Sequence, residues 1–318
     1  MPPRRRIGKR LVKSFLPIIL VIALAVVGAL SFVVYCVSHP TRRPYVVTPE
    51  SFSRISGRAI KATDETWTNL DGGRARGWLL KGAEGAPAVV LLHRYGGDRS
   101  WLFNLGVKLN ETTNFTVLLP DLRGHGENPL VSWASLATRD GDDVLAALKY
   151  LRSLKTENQK PLVGESFGVY GVELGAYSAV KAARSEPQIK VLVLDSVSRS
   201  PSELLNTAVA NCTGLDNGFV QYFSGMATRL YLWGSYDDTS ACDFAHSIRD
   251  ARVLLLSGAE AGKLRDTTAS LQSCFPSPAN VETRTDLPLS GFSLPSVTGE
   301  QGEAYDRVVI DFFDRNLR

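Results

Sequence analysis

Hydrophobic positions along the chain fall into short continuous runs separated by stretches of helical spacing. Ala88–Leu92 and Val253–Leu256 are unbroken apolar runs, and Phe115–Leu119 and Ile189–Leu194 are apolar but for Thr116 and Lys190, as expected of strands buried in a sheet. Pro161–Gly164 is a shorter run, and Val281–Thr285 reads as a final strand. Two further strands, Arg58–Thr63 and Ala75–Lys81, flank the turn residues Asp71-Gly72-Gly73. Helices are expected over Trp101–Leu109, Asp140–Leu154, Val169–Arg184, Leu264–Cys274 and Glu300–Leu317, where apolar residues recur at three and four. The alternation predicts an α/β fold with a doubly wound, mostly parallel sheet. Pro201–Ile248 interrupts it with a mixed, mostly helical segment, an insertion at about 200–248.

A different pattern opens the chain. Phe15–Val37 is 23 residues without a charge, long enough to span a bilayer. Its reading is a transmembrane helix retained as a signal anchor, because no small-residue cleavage site follows it; a cleaved signal peptide is the alternative. The expected organisation is a basic tail (1–14), a membrane helix (15–37), a linker (38–56) and one α/β domain (57–318). The net charge of +4 is uneven: of 36 basic residues eight lie in 1–43, which has no acid, leaving 28 against 32 acids in the remainder. That balance argues against a nucleic-acid partner. Six of the positive charges precede the span and two follow it, so the N-terminus is expected in the cytoplasm and the main domain outside. In an oxidising compartment Cys212–Cys242 is a candidate disulfide, with buried free thiols as the alternative, and Cys36 is assigned to the membrane segment.

The chemistry is carried by Gly164-Glu165-Ser166-Phe167-Gly168, a G-x-S-x-G between an apolar run and a helical stretch. That context suits a nucleophile elbow, in which Ser166 is the nucleophile, Gly164 and Gly168 make room for the turn, and the Phe167 N–H faces a developing oxyanion. His93–Gly97, Asp121–Gly126 and the Val191–Ser196 strand end follow the same order as landmarks of a known fold. Together these four segments resemble the α/β-hydrolase superfamily, in particular its serine-aminopeptidase and monoglyceride-lipase-like branch, over about Arg58–Leu317. The resemblance implies an α/β-hydrolase sheet with a helical cap, no cofactor or metal, and an acyl substrate that is a small molecule, lipid or peptide. It implies Tyr95 as the second oxyanion donor.

Two positions depart from the family. Ala261 stands where the acid after the Val253–Leu256 strand is expected, with Glu260 beside it. The segment Asp286–Ser293, where the histidine is expected, has none, and no histidine occurs after His246. A serine hydroxyl without a base is a poor nucleophile. His125 is the remaining candidate base and Asp195, at a strand end, the candidate acid. Two functions stay open: a membrane-anchored serine hydrolase acting on an ester, thioester or amide through Ser166, or a catalytically impaired pseudo-hydrolase serving as a binding or interaction module.

Overall fold

In the computed structural model the chain is described over residues 5–294 and 299–318; the first four residues of the basic tail and 295–298 lie outside the described residues. Helix α1 (Arg5–Ser38) is followed by a short α2 (Pro49–Ser56). Then come β1 (Ala62–Thr68), β2 (Arg74–Leu80), β3 (Ala86–Leu92), α3 (Phe103–Thr113), β4 (Thr116–Pro120), α4 (Asp140–Ser153), β5 (Val163–Val172), α5 (Leu174–Ala183) and β6 (Ile189–Asp195). Three helices form the insertion: α6 (Pro201–Thr213), α7 (Gly218–Tyr231) and α8 (Ala241–Ala245). The chain closes with β7 (Arg252–Leu256), α9 (Leu264–Leu271), β8 (Val281–Arg284) and α10 (Glu300–Leu317).

The eight strands form one sheet in the order β1-β2-β4-β3-β5-β6-β7-β8. β1, β2 and β4 pair antiparallel, and every pair from β4 through β3 to β8 is parallel. Helices cover both faces. One face packs Val144, Leu148 and Leu151 of α4 and Tyr177 and Val180 of α5 against the sheet. The other packs Phe103 and Leu109 of α3 and Val309, Phe312 and Phe313 of α10. Strands β3, β4, β6 and β7 are buried on both sides over most of their length, which is why they read as near-continuous apolar runs.

Three expectations are corrected here. β1 runs from Ala62 to Thr68 rather than Arg58 to Thr63; it is a mostly exposed edge strand with little apolar signal. The linker contains α2, started by a capping box in which Thr48 and Ser51 exchange bonds. Residues 169–172, read as the start of a helix, belong to β5.

The cysteines also pair otherwise than expected. Cys36 is bonded to Cys212 and Cys242 to Cys274, so the residue assigned to the membrane segment is tied to the helical insertion. Within α1, Phe15–Ser38 is long and apolar enough to cross a membrane, with mean hydropathy 2.9. Its last turns instead bury Val33 and Val37 in a small core with Leu205, Ala208 and Val209 of α6, Leu136, and Leu232 just past α7.

Candidate active site

The ends of the parallel strands define the rim where a site of this fold is built. β5 reaches that rim at its tenth residue, Val172. The next residue, Glu173, turns the chain into α5 with φ 50° and ψ −103°. This left-handed conformation at a non-glycine residue costs on the order of 1–3 kcal/mol and persists only where its surroundings enforce it. Gly171 and Gly175 do so. A Cβ on Gly171 would lie 2.3 Å from the Gly175 carbonyl carbon, and one on Gly175 would lie 2.4 Å from the Leu92 oxygen. Strand, turn and helix cross so closely that only glycine fits on either side. The nucleophile elbow is therefore Gly171-Val172-Glu173-Leu174-Gly175, and its central residue is a glutamate.

Ser166 is not at that rim. It lies near the start of β5, inside an irregularity of the β3–β5 pairing between Val163 and Phe167. Seven residues at ~3.3 Å each put it about 20 Å along the strand from Glu173. The Phe167 N–H donates to the Gln188 carbonyl (2.9 Å), so it cannot serve an oxyanion. The two glycines of the motif answer to packing. A Cβ on Gly168 would meet the Phe313 ring at 2.6 Å, and one on Gly164 the Gly85 oxygen at 2.7 Å. The G-x-S-x-G spacing at 164–168 is thus a strand accommodating α10 and a neighbouring turn, and the assignments of Ser166, Phe167, Gly164 and Gly168 to an elbow are corrected. The signal for the true position was present in the sequence as G-x-E-x-G; a search for a hydroxyl passes over it.

Tyr95 lies beside the Glu173 turn. Its backbone N–H donates to Glu173 Oε2 at 3.1 Å, so that donor is already engaged within the chain. Glu173 is 5% exposed, and burial pushes its carboxyl up to about 7, opposed by the Arg94 guanidinium and the Tyr95 N–H. Arg94 lies 4.4 Å over the Trp101 ring and 5.3 Å from that of Phe292. A buried acid beside a caged arginine is held, not presented.

The other candidate partners have structural duties. Asp195 is fully buried at the end of β6. It accepts from Ser196 Oγ (2.6 Å), from the Gly291 N–H (2.8 Å) and from the Tyr305 hydroxyl, which also contacts the Tyr170 hydroxyl at 2.7 Å. Burial pushes its carboxyl up to about 6 against these three donors. It ties down the loop in which a histidine was expected. There Gly291 approaches so closely that a Cβ would sit 2.4 Å from Val172 Cγ2, so a side chain at that position does not fit. On the neighbouring turn Glu260 is exposed.

His125 lies on the correct rim, edge-on to the Tyr95 ring at 5.3 Å and to His93 at 5.2 Å. Its Nδ1 bonds the Arg123 carbonyl oxygen (2.9 Å), its Nε2 is buried without a partner among the described residues, and burial lowers its pKa. It sits at the opposite end of β5 from Ser166 and is corrected as that residue's base. His93 accepts from the Leu122 N–H at Nε2 (3.0 Å) and bonds the Arg94 carbonyl oxygen through Nδ1 (2.8 Å), so it organises the loop.

The rim is also covered. The Tyr95 hydroxyl donates to the Val37 carbonyl at the end of α1 (2.6 Å), and the Ala134 N–H donates to that of Ser38 (2.7 Å). Beyond α1 the linker continues over the same rim. Arg42 donates to the Ser132 carbonyl (3.3 Å), Tyr45 to Asp121 Oδ2 (2.7 Å) and the Val46 N–H to Ser100 Oγ (3.0 Å). A cavity of about 80 Å³ remains between Pro40–Pro44 and the loops carrying Gly97 and His125.

The sequence profile of the alpha/beta hydrolase family matches residues 89–310. The chain belongs to the alpha/beta hydrolase family. Among solved structures it is similar to an esterase of Pyrococcus furiosus, with TM-score 0.63 and 19% identity over 88% of this chain and 98% of that one. It is also similar to an acylaminoacyl peptidase of Pyrococcus horikoshii, with TM-score 0.59 and 14% identity over 84% of this chain and 44% of that one. Among curated proteins it is 32% identical over 171 residues to the dihydrolipoyllysine-residue acetyltransferase component of the acetoin cleaving system of Pseudomonas putida. That match takes in 51% of this chain and spans only 42% of the relative's length. The family is shown by the profile and the fold by the solved structures.

Proposed function

We propose that this protein is a membrane-anchored member of the family that does not carry out serine hydrolysis and uses the fold as a binding or interaction module. The observation that carries the reading is the bond from the Tyr95 N–H to Glu173 Oε2 at the elbow. A carboxyl built into the chain occupies the donor that a substrate oxyanion would need, and it does so without a transition state. The closely packed Gly291 and the structural bonding of Asp195 support the same reading, since neither leaves a seat for the remaining catalytic groups. The apolar length of Phe15–Ser38 supports an anchor. The two disulfides and the basic residues ahead of the span support a domain facing an oxidising, extracytoplasmic space.

The test is labelling of the full chain in detergent with a fluorophosphonate probe, beside Ser166→Ala and an active serine esterase as control. The expected result is no labelling of either form of this protein. Labelling that disappears with Ser166→Ala would return the serine hydrolase and sink the reading.

A further inference from the structure

Helix α7 carries its polarity the wrong way round for a helix at a water-facing surface. Its buried side is small and polar: Ser224, Gly225 and Thr228, the last donating back to the Ser224 carbonyl (2.9 Å). Its outer side carries Phe219, Tyr222, Phe223, Met226 and Leu230, continued by Trp233 just past the end. At 3.6 residues per turn these six fall within a stripe of about 100°. Phe219 is 71% exposed, Tyr222 67% and Trp233 80%. α7 contains no acid, and its one base, Arg229, is engaged with Asp238 (3.2 Å) and Ser202 (2.6 Å) at the side. Small residues toward a neighbouring helix and large apolar ones outward is the arrangement of a helix whose outer solvent is hydrocarbon.

The position of α7 says what covers it. Ala227, Leu230 and Tyr231 line one wall of a groove of about 480 Å³ whose other wall is Val27, Leu30 and Val34 of α1. Along α1 the domain begins to bury side chains fully at Val33; residues 15–32 are exposed apart from the half-buried Leu30. Those 18 residues span about 27 Å, close to the ~30 Å hydrocarbon core of a bilayer. The lower edge of α7 therefore lies beside the last turns of the segment that matches the membrane. The aromatic residues of its stripe are of the kind that settle at the lipid–water boundary.

We propose that α7 lies in the outer membrane interface with the Phe219–Trp233 stripe in lipid, so that the helical insertion is a second membrane contact beside α1. The inference rests on the anchor reading given under Proposed function. It makes the cap, which in an open enzyme would screen the substrate, a seat on the bilayer. The Cys36–Cys212 bond holds α6 to the end of α1 and fixes the height of that seat.

The test uses the full chain reconstituted in phosphatidylcholine vesicles. All four native cysteines are paired, so a single added thiol can be labelled with an environment-sensitive fluorophore. Tyr222→Cys and Trp233→Cys report on the stripe, Leu20→Cys on the bare part of α1, and Glu157→Cys on an exposed turn ahead of β5, at the far rim of the sheet. Lipids with a spin label on a shallow acyl carbon are the quencher. The expected result is loss of most fluorescence at Leu20, Tyr222 and Trp233 and none at Glu157. Quenching at Leu20 without quenching at Tyr222 or Trp233 would overturn the proposal and leave the anchor in place; a stripe that is water-shielded yet unquenched would point to a protein partner instead. No quenching at Leu20 would remove the anchor reading and this proposal together.

Discussion

Replacing Glu173 with glutamine is expected to stabilise the protein above neutral pH and leave it unchanged near pH 4. Burial raises the Glu173 carboxyl from its ordinary 4.5 to about 7. Between those values the native state still holds a proton that the unfolded chain has released. The stability this group contributes is present in full below about 4.5 and is lost as pH rises through about 7. The loss approaches about 3 kcal/mol as an upper figure, at 1.36 kcal/mol for each tenfold change in proton affinity. Glutamine keeps an acceptor for the Tyr95 N–H and removes the buried charge. At pH 8 its melting temperature should exceed that of the native protein by several degrees, on the order of 5–10 °C for a domain of this size. At pH 4 the two curves should meet. Asp195, pushed up to about 6, and Asp143, raised to about 7 by burial, act in the same direction in both proteins, so glutamine flattens the pH dependence without abolishing it. Thermal melts across pH 4–8 decide this. Coincident curves at pH 8 would mean that Glu173 is solvated, and the account of a buried carboxyl at the elbow would fall with it.

How much of this was legible follows from what each residue is surrounded by. β3, β4, β6 and β7 stood out because a strand buried on both faces has no polar alternative. β5 did not, although it is the central strand. Its first half carries Gly164, Glu165, Ser166 and Gly168, each excused by a local neighbour: a bulge, an exposed edge, the ring of Phe313. Cutting the strand at Gly164 created an elbow two residues into it, far short of the rim reached by β3 and β6. A seven-residue strand length applied to β5 would have moved the turn toward Gly171–Gly175. The lack of a histidine after His246 is plain in the sequence, yet the sequence held no sign of how closely the loop packs. That closure is a matter of distances between Gly291 and Val172, residues more than a hundred positions apart. The disulfide partners were beyond reach for the same reason, since Cys36 had to be seen at the domain rather than in the membrane segment. The inverted polarity of α7 was visible as a cluster of aromatics, but a small internal core reads identically until burial is known.

Asp195→Ala is expected to cost about 3–4 kcal/mol of stability at pH 7. The side chain holds three buried donors from three parts of the fold: Ser196 after β6, Gly291 in the loop after β8, and Tyr305 of α10. Alanine leaves the Ser196 and Gly291 donors without this acceptor and the Tyr305 hydroxyl with Tyr170 alone, at about 1–3 kcal/mol for each buried group left unsatisfied. Part of that is offset because a carboxylate whose pKa is already raised by burial disappears with the substitution. Asp195→Asn keeps an acceptor and should lose less, about 1–2 kcal/mol by the same reasoning. Denaturant titration gives both numbers. Hydrogen exchange locates the effect: Gly291 and the first turns of α10 should lose protection before the core strands do. A catalytic carboxylate would give the opposite pattern, since active-site groups are commonly held at a cost to stability and their removal is neutral or stabilising. An Asp195→Ala protein with an unchanged denaturation midpoint would therefore reopen the case for an acid at this strand end. A destabilised one, with the loss centred on Gly291, means that the place where a histidine would stand is part of the core that holds β6, α10 and the elbow together.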